Sequence, residues 1–298
     1  MSRAGTLLVA AALDVLVGEP PARAHPVVWM GRLIDRLEAR LPDPGAPDAA
    51  AAGARAAGLG GAVVVLAATA ARRLPWPAQG VALWTLLSGR LLLDEATAVE
   101  ATLRDEGLGA ARERLSWLVS RDTAALTAPQ VRAATVQTLA ENTTDSVTAT
   151  LWWWSVAGLP GAALHRWADT LDSRWGYVED TWLARGRAAA RLDDVLAWLP
   201  ARLTALLWHG ALDRQLRDQA CRTPSPNGGW TMGAAALSTD SSLEKPGAYV
   251  LHPAGREPDA ATVTTALRDA RRVMGTALVA ALVLATARDA DDVGAVHR

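Results

Sequence analysis

Apolar runs and polar blocks take turns along this chain, and helical periodicity fits better than strand alternation nearly everywhere. The apolar runs cover residues 6–17, 58–71, 74–93, 147–164 and 273–287. Asp14 interrupts the first, which is short against the roughly 20 apolar residues that a membrane-spanning helix needs. Leu74-Pro75-Trp76-Pro77 marks a tight turn between the second and third, because proline cannot continue a helix interior. The fourth carries Trp152, Trp153 and Trp154 and is broken at Gly158-Leu159-Pro160-Gly161. Residues 195–212 are amphipathic and suit a helix lying at an interface. Residues 41–57, rich in Ala, Pro, Asp and Gly, read as a polar loop. Residues 94–140 read as charged amphipathic helix, with a helix end at Gly107 to Gly109. No internal repeat is visible. The pattern predicts an all-α, multi-pass helical integral membrane protein with amphipathic and polar helical segments. It predicts four to five spans within a single domain over residues 1–298.

Composition sharpens this reading. Half of the 298 residues are apolar, a fifth are charged and the formal net charge is -1. Nucleic-acid binding needs a basic surface to neutralise phosphates, so that class is not expected. Cys221 is the only cysteine, which excludes an intrachain disulfide and a thiolate metal cluster. Phenylalanine is absent and tryptophan reaches 13. Tryptophan favours membrane–water interfaces, although it can also stand in for Phe in cores; the composition leans towards a membrane. The first apolar run lacks a convincing cleavage site and reads as retained rather than as a signal peptide. Arg23, Arg32, Arg36, Arg40 and Arg55 favour a cytoplasmic loop after it, while Arg72 and Arg73 pull the other way.

Three polar blocks lie beside the apolar runs. The first runs from Leu13-Asp14 through Gly18-Glu19-Pro20 into His25-Pro26-Val27 and Met30-Gly31-Arg32. The second starts at Ser120-Arg121-Asp122-Thr123 and passes through Ala140-Glu141-Asn142-Thr143-Thr144-Asp145. It continues through Thr170-Leu171-Asp172-Ser173, Gly176-Tyr177 and Ala190-Arg191-Leu192-Asp193-Asp194 to Pro200-Ala201-Arg202-Leu203-Thr204. The third is Ser225-Pro226-Asn227-Gly228-Gly229-Trp230. Each block is weak alone, but their order and spacing from Leu13 to Tyr249 resemble the CobD/CbiB family, also called adenosylcobinamide-phosphate synthase.

That resemblance implies ATP-dependent amide formation in cobalamin biosynthesis. A propionate of adenosylcobyric acid is joined to (R)-1-aminopropan-2-ol or its O-phosphate, with ATP and Mg²⁺ as cofactors. It implies a multi-pass protein of the cell inner membrane, with its active face cytoplasmic, in contact with lipid and with other membrane enzymes of the pathway. The chain departs from the family pattern at Glu19, where Asp is usual, and at Gln137, where Glu is frequent. It departs again at His165 for Tyr, Asp169 for Asn, Ala197 for Asn, and over Leu243-Glu244-Lys245-Pro246, where the family is glycine-rich. Two rivals share the broad pattern: a non-catalytic AmpE-like membrane sensor, and a small-solute transporter using Asp14 and Glu141. A transporter would concentrate polar groups within its spans, whereas here most lie between them.

Activation of a carboxylate as an acyl phosphate requires oxygen ligands for Mg²⁺ and cations for phosphates. Glu141 and Asp145, four apart, share a helix face. Asp193 and Asp194 are adjacent and diverge by about 100° on a helix. These four are the candidate catalytic and Mg²⁺-binding carboxylates. The alternatives are an arginine pair or cap for Glu141, a helix N-cap for Asp145, and pairing with Arg191 or Arg187 for Asp193 or Asp194. Arg121, Arg202 and Asn227 are candidates for gripping phosphate or carboxylate. Against that stand an Arg121–Asp122 pair, a snorkelling Arg202 and a plain Ser225-Pro226-Asn227-Gly228 turn. Asp14, His25, Arg32, Asn142, Asp172, Ser173 and Ser225 complete the candidate substrate-binding set. Asp14 needs a partner, Arg32 or a helix terminus, and His25 is as well explained by a structural hydrogen bond.

Overall fold

Proline and glycine divide two of the apolar runs, 74–93 and 147–164, into shorter helices, whereas the 58–71 and 273–287 runs lie inside longer ones. The computed structural model describes residues 2–176 and 181–296, so Tyr177 lies outside the described residues. In order, the helices are α1 (Arg3–Leu16), α2 (Pro26–Glu38), α3 (Ala49–Ala71), α4 (Trp76–Trp84), α5 (Gly89–Asp105) and α6 (Leu108–Leu115). They continue with α7 (Ala128–Thr143), α8 (Ala149–Ala157), α9 (Leu159–Trp175), α10 (Arg187–His209), α11 (Arg214–Ala220), α12 (Gly228–Ser238) and α13 (Ala260–Val296). A short antiparallel hairpin joins β1 (Leu243–Lys245) to β2 (Tyr249–Leu251), with Glu244 opposite Val250.

The chain folds into two compact units. The first draws on residues up to 88, on 149–197 and on those from 278 onward; the second comprises 89–148 and 198–277. In the first unit, α1 lies on α4 because both helices offer glycine at the contact. A Cβ on Gly80 would stand 2.7 Å from the Val9 Cβ, and one on Gly5 would stand 2.8 Å from the Trp76 ring. Missing side chains let the two backbones approach. The buried Trp167 ring of α9 fills the space over Gly60 of α3, and its Nε1 donates to the Ala57 carbonyl at 3.2 Å. Asp289 of α13 accepts from the backbone N–H groups of Arg3 and Ala4, 2.9 and 3.1 Å away, at the start of α1. A carboxylate there meets the positive end of the helix dipole.

In the second unit, Val99 and Leu103 of α5, Leu115 of α6, and Leu126 and Val131 around the start of α7 form an apolar core. Arg132 of α7 grips Glu100 of α5 through two bonds of 2.9 Å. α7 starts at a capping box, Thr127 with Gln130. Beyond Thr143 the helix loosens into a π-helical turn at Thr144–Thr148. α12 and β1 both lie against α7, which places that helix at the centre of the unit.

The span expectation changes most. Among the described residues two helices are long and apolar enough to cross a membrane, α3 and the 260–291 stretch of α13. α1, with 14 residues, reaches only about 21 Å at 1.5 Å per residue. The 74–93 run divides into α4 and α5, and the 147–164 run divides at Gly158, whose φ of 69° belongs to the left-handed region. The supposed loop over 41–57 ends early, because the alanines from Ala49 onward are strong helix formers and start α3. Tryptophan serves both uses that composition left open. Trp154, Trp167, Trp175 and Trp208 are buried, whereas Trp29, Trp76, Trp117 and Trp198 are exposed.

Candidate functional site

The candidate residues divide between the two units. In the second, the Ser120–Thr123 segment turns Arg121 towards α7. Its Nη2 donates to the Gln137 amide oxygen at 2.7 Å, and Gln137 Nε2 donates to the Leu243 carbonyl of β1 at 3.1 Å. The local Arg121–Asp122 pair does not form. Asp122 instead accepts from the Ala124 backbone N–H at 2.8 Å. One turn beyond Gln137 on the same helix stands Glu141, close enough to Arg121 and to Tyr249 of β2 for its charge to act on both. Burial lowers the Arg121 pKa, with Tyr249 and Glu141 opposing that shift. Burial also pushes the Tyr249 hydroxyl up to about 12, helped by the negative Glu141 and opposed by Arg121. Arg121 Nη1 is buried and has no hydrogen-bond partner among the described residues. A desolvated guanidinium with an unused donor is suited to an anionic group.

Gly228, the first residue of α12, closes this cluster. A Cβ there would lie 2.7 Å from Glu141 Oε1 and 3.2 Å from the Met232 methyl, so the carboxylate touches bare backbone. The preceding turn is held from both sides. Ser225 Oγ accepts from the N–H groups of Asn227 and Gly228, 3.2 and 3.0 Å away. Arg202 of α10 donates to the Asn227 side-chain oxygen at 3.0 Å, to the Pro226 carbonyl at 3.2 Å and to the Trp198 carbonyl at 2.6 Å. Its guanidinium lies 4.2 Å from the Trp198 ring centre and 5.1 Å from that of Trp230. Arg202 is therefore a clamp on the turn rather than a snorkelling anchor. Asn142 donates back to its own helix, to the Thr138 carbonyl and hydroxyl, each at 3.0 Å. Asp145 lies inside the π-helical turn, so the helix runs on through it rather than starting there. Turns of this kind recur at functional sites.

The first unit holds the remaining candidates. His25 is the N-cap of α2: its Nδ1 accepts from the Val27 N–H at 3.2 Å, which leaves Nε2 to face Glu19 at 2.6 Å. That is the structural alternative, with the Glu19 carboxylate as the partner of the ring. Asp14 is part-buried near the end of α1 and Arg32 is exposed on α2. Asp172 folds back against Gly176, a position where any side chain would collide with it. Burial, then the charges of Asp194 and Asp169, push the Asp172 pKa up to about 6. Burial raises that of Asp194 as well. Ser173 is exposed and donates to the Thr170 carbonyl at 2.9 Å. Asp169 pairs with Arg166 at 2.9 Å, and His165 is fully buried with neither ring nitrogen bonded among the described residues. Asp193 and Asp194 are part-buried on α10.

Among the described residues no three His, Cys, Asp or Glu side chains gather to hold a metal ion. Mg²⁺ is commonly held by one or two carboxylates and completes its shell with phosphate oxygens and water. Glu141, with Asp145 one turn on, is a donor set of that limited kind. Sequence reasoning missed Tyr249 and Gly228 as members of the cluster. Their only signal was position, at the end of the motif series and inside Ser225–Trp230.

A family model described as CobD/Cbib protein matches residues 7–286. A probable cobalamin biosynthesis protein CobD of Methanothermobacter thermautotrophicus is 38% identical, over 84% of this chain and 87% of its own length. A cobalamin biosynthesis protein CobD of Chromobacterium violaceum is 44% identical over 82% of each chain. A cobalamin biosynthesis protein CbiB of Salmonella typhimurium is 36% identical over 81% of this chain and 82% of its own. No solved structure matches.

Proposed function

Since this chain belongs to the CobD/CbiB family, we propose that it acts in cobalamin biosynthesis as an adenosylcobinamide-phosphate synthase. It joins a propionate carboxyl of adenosylcobyric acid to the amine of aminopropanol or its phosphate, at the expense of ATP. The observation that carries this reading is the cluster of Arg121, Glu141 and Tyr249 against the Ser225–Gly228 turn. It combines a part-buried cation, a carboxylate and a phenol in one place.

In the proposed reaction a carboxylate oxygen of the corrinoid attacks the γ-phosphorus of ATP and ADP leaves. The amine nitrogen then attacks the acyl carbon, phosphate leaves, and the nitrogen gives up a proton. Arg121 binds an anionic oxygen through its unused Nη1 and is held in place by Gln137. In this reading Glu141 either holds a metal ion or receives the amine proton. Asp145, Asp193 and Asp194 are proposed as further acidic groups of the same chemistry, with Asp14, His25, Arg32, Asn142, Asp172, Ser173, Ser225 and Asn227 in substrate binding. Mg²⁺, when bound, neutralises phosphate charge. Arg202, which clamps the Ser225–Gly228 turn, is proposed with these residues in binding phosphate or carboxylate. The long apolar α3 and α13 support membrane attachment, and a cytoplasmic face for the site is proposed with it.

The test is direct. Detergent-purified protein is given adenosylcobyric acid, ATP, Mg²⁺ and aminopropanol phosphate; amide product and ADP are expected in equal amounts. Neither product appearing defeats the reading. Near-wild-type rates in both Glu141→Gln and Asp193→Asn remove those residues from the site.

A further inference from the structure

Residues 56–71 in α3, 74–89 through α4 and 273–287 in α13 carry no charged side chain, and each stretch has an arginine immediately at both ends. At the helical rise the stretches in α3 and α13 reach about 22–24 Å, and tilt only lowers that height. α1, with 14 residues, reaches about 21 Å. An ordinary bilayer has a hydrocarbon core of about 30 Å.

Contacts within the first unit bring these helices to a common level at one end. Asp289, next to Arg288, accepts from the Arg3 N–H at 2.9 Å. The Thr6 hydroxyl donates to the Trp76 carbonyl at 3.3 Å, just past Arg72 and Arg73. Arg3, Arg72, Arg73 and Arg288 thus make one charged rim. An arginine can climb towards the headgroups and so lengthen a short span, but both arginines that bracket α13 are engaged in the fold. Arg272 donates to the Leu207 and Trp208 carbonyls at 2.7 and 3.0 Å, and Arg288 donates to the Ser155 carbonyl.

Between these limits apolar side chains point outward. Leu59, Val63 and Leu66 of α3 and Val279, Val283 and Leu284 of α13 are 46–69% exposed, at spacings that give each helix one such face. A helix in water turns its apolar face inward. Outward apolar faces that end at arginines, with no charge between, fit lipid.

We propose that these faces are covered by a bilayer whose hydrocarbon core is about 24 Å thick, so that the chain selects short acyl chains or thins longer ones around itself. The inference rests on the membrane attachment given above and not on the ligase reading.

The experiment places the full chain in vesicles of phosphatidylcholine with fourteen-, eighteen- or twenty-two-carbon monounsaturated chains, and reads flotation and melting temperature. The chain floats with all three. Its melting temperature is highest with fourteen carbons and falls by about 5 °C towards twenty-two. Arg55 is exposed and faces Asp48 at 3.7 Å. Arg55→Leu leaves α3 without charge over Ala49–Ala71, which adds about 10 Å to the apolar length, and the fall narrows. A melting temperature equal in all three lipids, or highest at eighteen carbons or beyond, overturns the proposal, as does a fall that Arg55→Leu leaves unchanged. One that ignores chain length but rises with the protein-to-lipid ratio gives the faces to a second copy instead. A chain that floats with none of the vesicles removes the membrane attachment as well. No turnover is read, so a chain without ligase activity leaves the result standing.

Discussion

Arg121 is held by a neutral side chain: its guanidinium donates to the Gln137 oxygen at 2.7 Å, and Gln137 passes the connection to the Leu243 carbonyl at 3.1 Å. A glutamate at residue 137 would set a charge against the guanidinium. Here it keeps its own charge uncompensated on that side, facing Glu141 and Tyr249. The amide orients Arg121 without neutralising it.

Gln137→Leu therefore strands two polar partners at once, a part-buried guanidinium and a strand carbonyl. The expected loss is about 3 kcal/mol, since an unsatisfied buried group costs its full desolvation. Chemical denaturation in detergent reads it. A midpoint equal to wild type would mean that water replaces Gln137 and that the relay does not matter.

Gly228→Ala tests the contact with Glu141. The new methyl would need the space of Glu141 Oε1, 2.7 Å away, so the carboxylate moves while the helix gains a better former. Turnover should fall about 100-fold, the scale of an ångström-sized misplacement, with little change in melting temperature. Full activity would separate Glu141 from the chemistry.

The clamp at Arg202 makes a different demand. Arg202→Lys keeps the charge but not the planar fork, and a lysine cannot serve the Asn227 oxygen and the Pro226 and Trp198 carbonyls together while lying between two indoles. Tryptophan emission from Trp198 and Trp230 should change, and protease should cleave faster at 222–227. A lysine variant indistinguishable in both measurements would show that charge alone suffices.

Stability should also respond to pH through Asp172. Its pKa in the fold, about 6, exceeds the ordinary carboxylate value because burial and two neighbouring carboxylates disfavour its charge. The folded chain therefore binds a proton that the unfolded chain has released. The stabilisation is complete below about pH 4 and is lost as pH rises through 6. Asp172→Asn should melt at a less pH-dependent temperature across that interval and gain on wild type above it. Parallel pH profiles would refute the assignment.

Much of the helical architecture is written in local chemistry. Gly107, with its φ of 93°, ends the α5 segment where the sequence places a stop, and Pro75 separates α3 from α4, with Pro77 in the first turn of α4. The family membership rests on residues in order along the chain, which needs no coordinates. Helix propensity, proline geometry and motif spacing act over a few residues, so the sequence settles them alone.

Partnership is another matter. Arg121 bypasses the adjacent Asp122 for Gln137, 16 residues on. Glu141 meets Gly228 and Tyr249, which no local pattern links to it. The hairpin that brings Tyr249 there has strands of three residues, too short for an alternation to be seen. Hydrophobic runs, likewise, do not say whether their surfaces will face lipid or a neighbouring helix; Trp167 settled on the glycines of α3 instead. Packing decides such pairs, because burial and hydrogen-bond satisfaction are summed over segments far apart in the chain.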